Sequence, residues 1–224
     1  FQFSPYNGKE PSQKSMVKIG YDDKAIYIGA KLCDTSADSV YQELSKRDQT
    51  YNINSDKLSI FLNPFNDGVN SYYFIVTAAG VQSDMKITGE RRDRDWDAVW
   101  NSSVRIHEKG WNAEIIIPYS SLRFPTKDIQ KWGFNVFRTI KRYDEQSVWS
   151  YISKDSQRWW KEEQGTIKNI KGLNPPLRLS FTPYLSSYFK QEGSDMGYSY
   201  TGGMDLTYGI NERFTLNMTL IQDF

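Results

Sequence analysis

Hydrophobic and polar residues alternate along most of this chain with a period of two, the period of a strand whose successive side chains face opposite ways. The clearest run is 112–118, where Ala113, Ile115 and Ile117 fall on one face and Asn112, Glu114 and Ile116 on the other. Pro118 ends that ladder because it has no N–H to give. Upstream, 16–20 and 25–32 alternate in the same way around Asp22-Asp23-Lys24, and turn chemistry between two such runs predicts a hairpin. Further strands are predicted over 58–62, 72–78, 81–87, 132–140 and 148–152. Asn63-Pro64-Phe65-Asn66-Asp67-Gly68, Gly80 and Lys109-Gly110 mark turns. Ser120-Ser121-Leu122 predicts one helical turn. Residues 1–15 read as an extended lead-in, and 34–55 as a loop with one short helix or strand.

The run 84–124 organises the rest. It joins the strand 112–118 to a knot of opposite charges, Arg91, Arg92, Asp93, Arg94 and Asp95, and to the unit Trp96-Asp97-Ala98-Val99-Trp100. The strand is scaffold, and the Trp, Arg and Asp rim is where function is expected. An ion pair between Asp97 and one of Arg91, Arg92 or Arg138, partly buried, is expected to hold the stretch together.

Many short strands with Gly, Asn and Asp turns and little helical period predict an all-β fold, a β-sandwich over residues 1–173. Asn174-Pro175-Pro176 is the expected boundary. Beyond it Leu179 and Phe181, then Tyr198, Tyr200, Met204, Leu206 and Tyr208, then Leu216, Met218 and Leu220 alternate with small polar residues. Segments of about ten residues with that dyad pattern are the sequence signature of outer-membrane barrel strands. Residues 174–224 therefore read as antiparallel strands, a fragment of a barrel, since closure needs about eight strands. The stretch Lys190 to Gly197 reads as the longer connection and Asn211-Glu212-Arg213 as a tight turn. With short turns on the periplasmic side, this order predicts that the sandwich lies in the periplasm.

Composition changes the picture in a few places. Aromatics make up 15% of the 224 residues, which suits β-structure, and the net charge of +1 provides no global field for nucleic acid. Cys33 is the one cysteine, so no intrachain disulfide forms, and its place on an alternating strand predicts a small buried residue. His107 is the one histidine, placed just before a turn, and reads as a surface residue rather than a metal ligand. No run of about 18 apolar residues predicts a spanning helix. The chain shows no signal peptide and does not begin with Met, so it reads as a mature protein or an excised piece of one. Phosphate-loop, HExxH, GxSxG and Cys–His patterns are missing.

The segments SDKLSIFLNPFNDG, YYFIVTAAGVQSD, RDWDAVW, GWNAEIIIPYSSLRF and WGFNVFRTIKRYDEQSVWS together resemble a bacterial envelope family of uncharacterised function. Its members pair an N-terminal domain similar to family 9 carbohydrate-binding modules with a C-terminal outer-membrane β-barrel. RLSFTPYLSSY and the closing IQDF resemble the start of that barrel. The resemblance implies a sandwich that binds sugar, a first strand missing or shortened before Phe1, and a Gram-negative envelope location in the periplasm or outer membrane.

Sugar binding needs aromatic faces for the C–H side of a pyranose and paired donors and acceptors for its hydroxyls. The aromatic candidates are Tyr51, Trp96, Trp100, Trp149, Trp159 and Trp160. The polar ones are Asp56, Asp84, Arg91, Arg92, Asp95, Asp97 and Arg138. From these, the predicted ligand-binding set is Tyr51, Asp84, Arg91, Trp96, Arg138, Trp149, Trp159 and Trp160. The plainer reading is that Trp96 and Trp100 plug one end of the sandwich while the charges satisfy one another. Trp111 opens a strand and is expected in the core. Adjacent Trp159 and Trp160 point opposite ways on an extended chain, which makes one of them the preferred stacking residue. Paired carboxylates for glycoside hydrolysis could come from Glu90, Asp93, Asp95 and Asp97, but acids so mixed with Arg form ion pairs more readily. Asn63, Asn66 and Asp67 are weak calcium candidates, since related modules carry calcium, although the spacing is not that of an EF-hand. The expected protein is a non-catalytic carbohydrate-binding domain. Its alternative is a structural periplasmic domain of a barrel, and a hydrolase-associated enzyme stands third. Carbohydrate and the outer membrane are the expected partners, without cofactor or nucleic acid.

Overall fold

The computed structural model describes residues 1–157, 163–192, 195–210 and 214–220. They form two compact units, Phe1–Asn174 and Pro175–Phe224, and the described residues contain strands and short 3-10 turns without an α-helix.

The first unit is a sandwich of two antiparallel sheets. The smaller sheet has the order β2-β3-β9-β8, with β2 Ser15–Tyr21, β3 Ala25–Cys33, β8 Asn101–His107 and β9 Gly110–Pro118. The expected hairpins at Asp22-Asp23-Lys24 and Lys109-Gly110 are both present. Gly110 is obligatory in the second: its φ is +120°, and a Cβ there would fall 2.1 Å from the Leu32 carbonyl oxygen. The larger sheet has the order β1-β11-β10-β4-β5-β6-β7. Its strands are β1 Gln2–Ser4, β4 Lys57–Asn63, β5 Asn70–Thr77, β6 Gln82–Thr88, β7 Arg91–Asp93, β10 Ile129–Ile140 and β11 Glu145–Val148. A further strand, β12 Gly165–Lys171, pairs with the first half of β10.

The pleat sorts residues as the pattern implied. Ile26, Ile28, Ala30 and Leu32 of β3 and Ala113, Ile115 and Ile117 of β9 meet Leu58, Ile60, Leu62, Phe74, Val76, Trp132 and Phe134 of the larger sheet in one core. Trp111 is fully buried within it, as expected. Each such aliphatic or aromatic burial is worth about 1.5–3 kcal/mol. The larger sheet also has apolar residues on its other face, where Phe61, Met85, Ile87, Phe137, Val148 and Ile152 form a second cluster with Phe3 and Tyr73. β4 is therefore buried on both faces along Leu58–Asn63, which is why its sequence reads as a nearly continuous apolar run.

Several expectations are corrected. The lead-in is partly a strand, β1, which pairs with β11. The charge knot begins as the edge strand β7, paired with β6. The strand expected over 148–152 is β11 Glu145–Val148 instead. Beyond it the Asn135 side chain takes over the backbone of Ser150, accepting from its N–H at 3.0 Å and donating to its carbonyl at 3.2 Å, which diverts the chain from the ladder. Cys33 is only half-buried. The 34–55 loop, by contrast, is as expected: it carries the short 3-10 turn Ala37–Ser39 and one bridge, Gln42 to Ser55.

The second unit is a three-stranded antiparallel sheet of β13 Arg178–Glu192, β14 Asp195–Gly209 and β15 Thr215–Leu220. Its register puts Leu179 beside Tyr208 and Phe181 beside Leu206, with Leu206 and Tyr208 beside Met218 and Leu216. One face is apolar and open: Leu185, Phe189 and Tyr200 are 79%, 86% and 77% exposed. On the other face the Thr207 hydroxyl bonds the Asn217 carbonyl oxygen, and Thr219 donates to Asp205. Lys190 pairs with Gly197 and Glu192 with Asp195, so the stretch expected to be the longer loop is mostly strand. The loop-length argument for a periplasmic sandwich therefore loses its premise. The turn expected at residues 211–213 lies outside the described residues.

Candidate functional site

The outward face of the larger sheet carries a hollow of about 350 Å3. Its floor is Ile75 of β5 together with Met85, Ile87 and the Tyr73 ring of the second apolar cluster. Its polar side follows from register. Thr139 of β10 sits opposite Lys57 of β4 on one side and Gln146 of β11 on the other, which sets three polar side chains in one row across three strands. Ser59 lies two residues further along β4, on the same face. The loop before β4 supplies Thr50 and Tyr51. Gly89, Glu90 and Arg92 come from the β6–β7 turn and from β7.

Most of these polar groups are unpartnered. The side chains of Ser59, Thr139 and Gln146 have no hydrogen-bond partner among the described residues, and the Thr50 hydroxyl is buried without one. Tyr51 is 44% exposed, its hydroxyl meets the Met85 sulfur at 3.8 Å, and the Arg94 guanidinium lies 4.5 Å from its ring centroid. Lys57 donates to the Thr50 carbonyl. Burial, and then the nearby Lys141 charge, push its pKa below the ordinary lysine value. Burial raises the Tyr73 phenol well above its usual pKa, reinforced by Tyr51 and opposed by Arg92. An apolar floor, an aromatic wall and free donors and acceptors can hold a small, many-hydroxylated ligand.

Of the predicted ligand set, Tyr51 is at the hollow. Arg91 is exposed on β7, while its neighbour Arg92, one residue along the pleat, lines the hollow. Asp84 is on the core side of β6 and 2% exposed. It accepts from the Ala98 N–H at 2.8 Å, from the Trp100 indole N–H at 2.9 Å and from Arg47, which fastens the Trp96–Trp100 unit to the sheet. Burial pushes its carboxyl up, while the Trp100 and Ala98 hydrogen bonds pull it down. Trp96 and Trp100 are plugs: Trp100 is buried against Phe74, and Trp96 packs on Tyr72 and Phe74 with centroids 5.1 and 6.0 Å away. Arg138 and Trp149 line a different cleft, of about 940 Å3, bordered by Val17 and Ile19 of β2. Trp149 is 55% exposed over Gly165, whereas Arg138 is 2% exposed and donates to the Cys33 carbonyl at 2.8 Å. Trp159 and Trp160 lie outside the described residues.

The expected ion pair is corrected too. Asp97 pairs with Arg47 at 3.1 Å and not with Arg91, Arg92 or Arg138, and its side chain is 74% exposed. The buried pairing is elsewhere: Arg142 grips Asp34 at 2.7 and 2.9 Å, with Arg138 at 3.8 Å from the same carboxylate. Glu90 alone of the four carboxylates weighed for hydrolysis lines the hollow. Asp67 spends its oxygens on the Val69 and Asn70 N–H groups and on the Asn70 amide, and Asn63 accepts from the Asp67 N–H. These are the hydrogen bonds of a turn. Lys57, Ser59, Thr139 and Gln146 were missed. Their signal was a row of polar residues alternating with core positions on β4 and β10, legible only once the strands are paired.

Among the comparisons with known proteins, the solved structures bear on the fold. Residues 175–224 match the model of a family described as a domain of unknown function, DUF5916. No curated protein matches. A presumed carbohydrate-binding protein from Bacteroides uniformis is similar in structure, with a TM-score of 0.58 at 16% identity over 70% of this chain and 78% of that one. A family 9 carbohydrate-binding module from Caldicellulosiruptor kristjanssonii in complex with glucose has a TM-score of 0.51 at 15% identity, covering 75% and 81% of the two chains. The module in complex with cellotriose gives 0.50 at 15% identity, covering 75% and 79%. The class defined is an all-β sandwich of the kind found in family 9 carbohydrate-binding modules.

Proposed function

We propose that residues 1–174 form a non-catalytic saccharide-binding domain whose site is the hollow on the outward face of the larger sheet. The carrying observation is the set of polar side chains, Ser59, Thr139, Gln146 and buried Thr50, that point at an apolar floor without protein partners. A sugar ring against Tyr51 would leave its hydroxyls facing that row. The fold is shared with modules solved with glucose and cellotriose, which supports the ligand class. The open apolar face of β13–β15 supports a second part of the proposal, that the chain belongs to a Gram-negative cell envelope, with residues 175–224 beginning an outer-membrane barrel.

A glycan array of the chain, followed by calorimetry on the best ligand, tests the reading. Tyr51→Ala should weaken that ligand about tenfold, the loss of one stacking contact. A chelator should leave binding unchanged, and the glycan should be recovered uncleaved. If no glycan binds at millimolar concentration, the sandwich is a structural domain of an envelope protein.

A further inference from the structure

Two carboxylates buried inside this unit take an arginine partner. Asp34 has Arg142 and Asp84 has Arg47. The hollow breaks that pattern. Lys57 and Arg92 line it, and neither is in an ion pair among the described residues. Arg94, over the Tyr51 ring, is a third cation at the rim and is likewise without a carboxylate. Against them the hollow has one acidic side chain, Glu90. A half-buried ammonium with only backbone carbonyls as acceptors, those of Thr50 and Tyr51, has lost water without gaining an opposite charge. Its depressed pKa follows from that loss and from Lys141, and an arriving anion would offset both.

We infer that the hollow selects an acidic saccharide, one bearing a carboxylate or a sulfate ester, with Lys57 and Arg92 as the residues that read the charge. The inference rests on the saccharide-binding reading and narrows it. The division of labour follows from placement. Ser59, Thr139 and Gln146 meet hydroxyls, Tyr51 meets a ring face, and the two cations meet the anionic substituent through charge-assisted hydrogen bonds, roughly twice as strong as neutral ones. The neighbouring fold solved with glucose and cellotriose carries neutral sugars, so a preference for acid would set this chain apart.

Calorimetry of the whole chain with glucose, glucuronate and glucose 6-sulfate tests this, because the three share a ring and differ at one carbon. Glucuronate, glucose 6-sulfate or both should bind about tenfold more tightly than glucose at low salt, with the advantage shrinking as salt rises. Which of the two binds decides between carboxylate and sulfate. Lys57→Gln and Arg92→Gln should each cut the acidic-to-neutral affinity ratio about fivefold, whereas Lys57→Arg and Arg92→Lys should keep most of it. Unfolding curves of the same variants show that they remain folded. Glucose binding as tightly as both acids, or a ratio indifferent to Lys57→Gln and Arg92→Gln, sinks the inference and leaves the saccharide reading standing. Binding of inorganic sulfate at the strength of glucose 6-sulfate would also sink it, since the sugar would then add nothing. Failure of every sugar removes both.

Discussion

Asp56 and Lys57 are neighbours in the chain and belong to opposite worlds. The pleat sends Asp56 to the end of the core, among Asp34, Arg138 and Arg142, where it accepts the Lys141 N–H at 2.9 Å. It sends Lys57 to the outward hollow. The inner cluster is built of ion pairs and carbonyl contacts that join β3, β10 and the start of β2: Arg138 alone holds the carbonyls of Lys14 and Cys33. The outer group has cations without a carboxylate and hydroxyls without acceptors. The difference teaches where to look for a ligand. Charge matched inside a fold is spent on holding it, and charge left unmatched beside a solvent-open apolar floor is available for binding.

The comparison can be broken by substitution. Asp34→Asn should have the largest effect, because it leaves Arg142 and Arg138 facing each other without their carboxylate. A loss of about 3–5 kcal/mol in urea unfolding is expected, and a loss under about 1 kcal/mol would show that the inner cluster does not hold the fold. Asp84→Ala comes next. It orphans the Trp100 indole N–H, the Ala98 N–H and one arm of Arg47, for a cost of about 2–4 kcal/mol and increased exposure of Trp100 by fluorescence.

Asp56→Asn sharpens the contrast through pH. Burial raises the Asp56 carboxyl, with the Lys141 hydrogen bond and the two arginines opposing. A carboxyl raised in the fold binds more protons folded than unfolded. Its contribution is therefore full below the ordinary carboxylate value of about 3.9 and is lost as pH rises through the raised value. Asp56→Asn keeps an oxygen for Lys141 and removes that decline, so its stability should fall less than the parent's above pH 4 and be no lower at pH 7. A strongly destabilised Asp56→Asn at pH 7 would mean that the charge is needed there. The smallest effect on stability belongs to the hollow: Lys57→Gln should change unfolding by no more than about 0.5 kcal/mol. A loss above 2 kcal/mol would make Lys57 part of the scaffold.

The strands were legible because burial on one face leaves a period-two trace in the sequence. Ile26, Ile28, Ala30 and Leu32, and Ala113, Ile115 and Ile117, announce the core face of β3 and β9, and the tight turns at Asp22-Asp23-Lys24 and Lys109-Gly110 announce how the strands return. Those signals are local, and so they survive in one dimension. They define an all-β sandwich, and they made Tyr51 and the Trp96–Trp100 unit visible as residues to be explained. What tertiary structure decided was partnership. Asp97 and Asp84 meet Arg47, which lies in a loop about 40–50 positions away, rather than the arginines beside them. Asn135 turns the chain at Ser150 and shortens a strand that alternation would have prolonged. Lys57, Thr139 and Gln146 become one row only through the pairing of β4, β10 and β11. A side chain's own residue type says which face it can tolerate; which other side chains share that face is set by register, and register is a property of strands distant in sequence that meet only in the folded sheet.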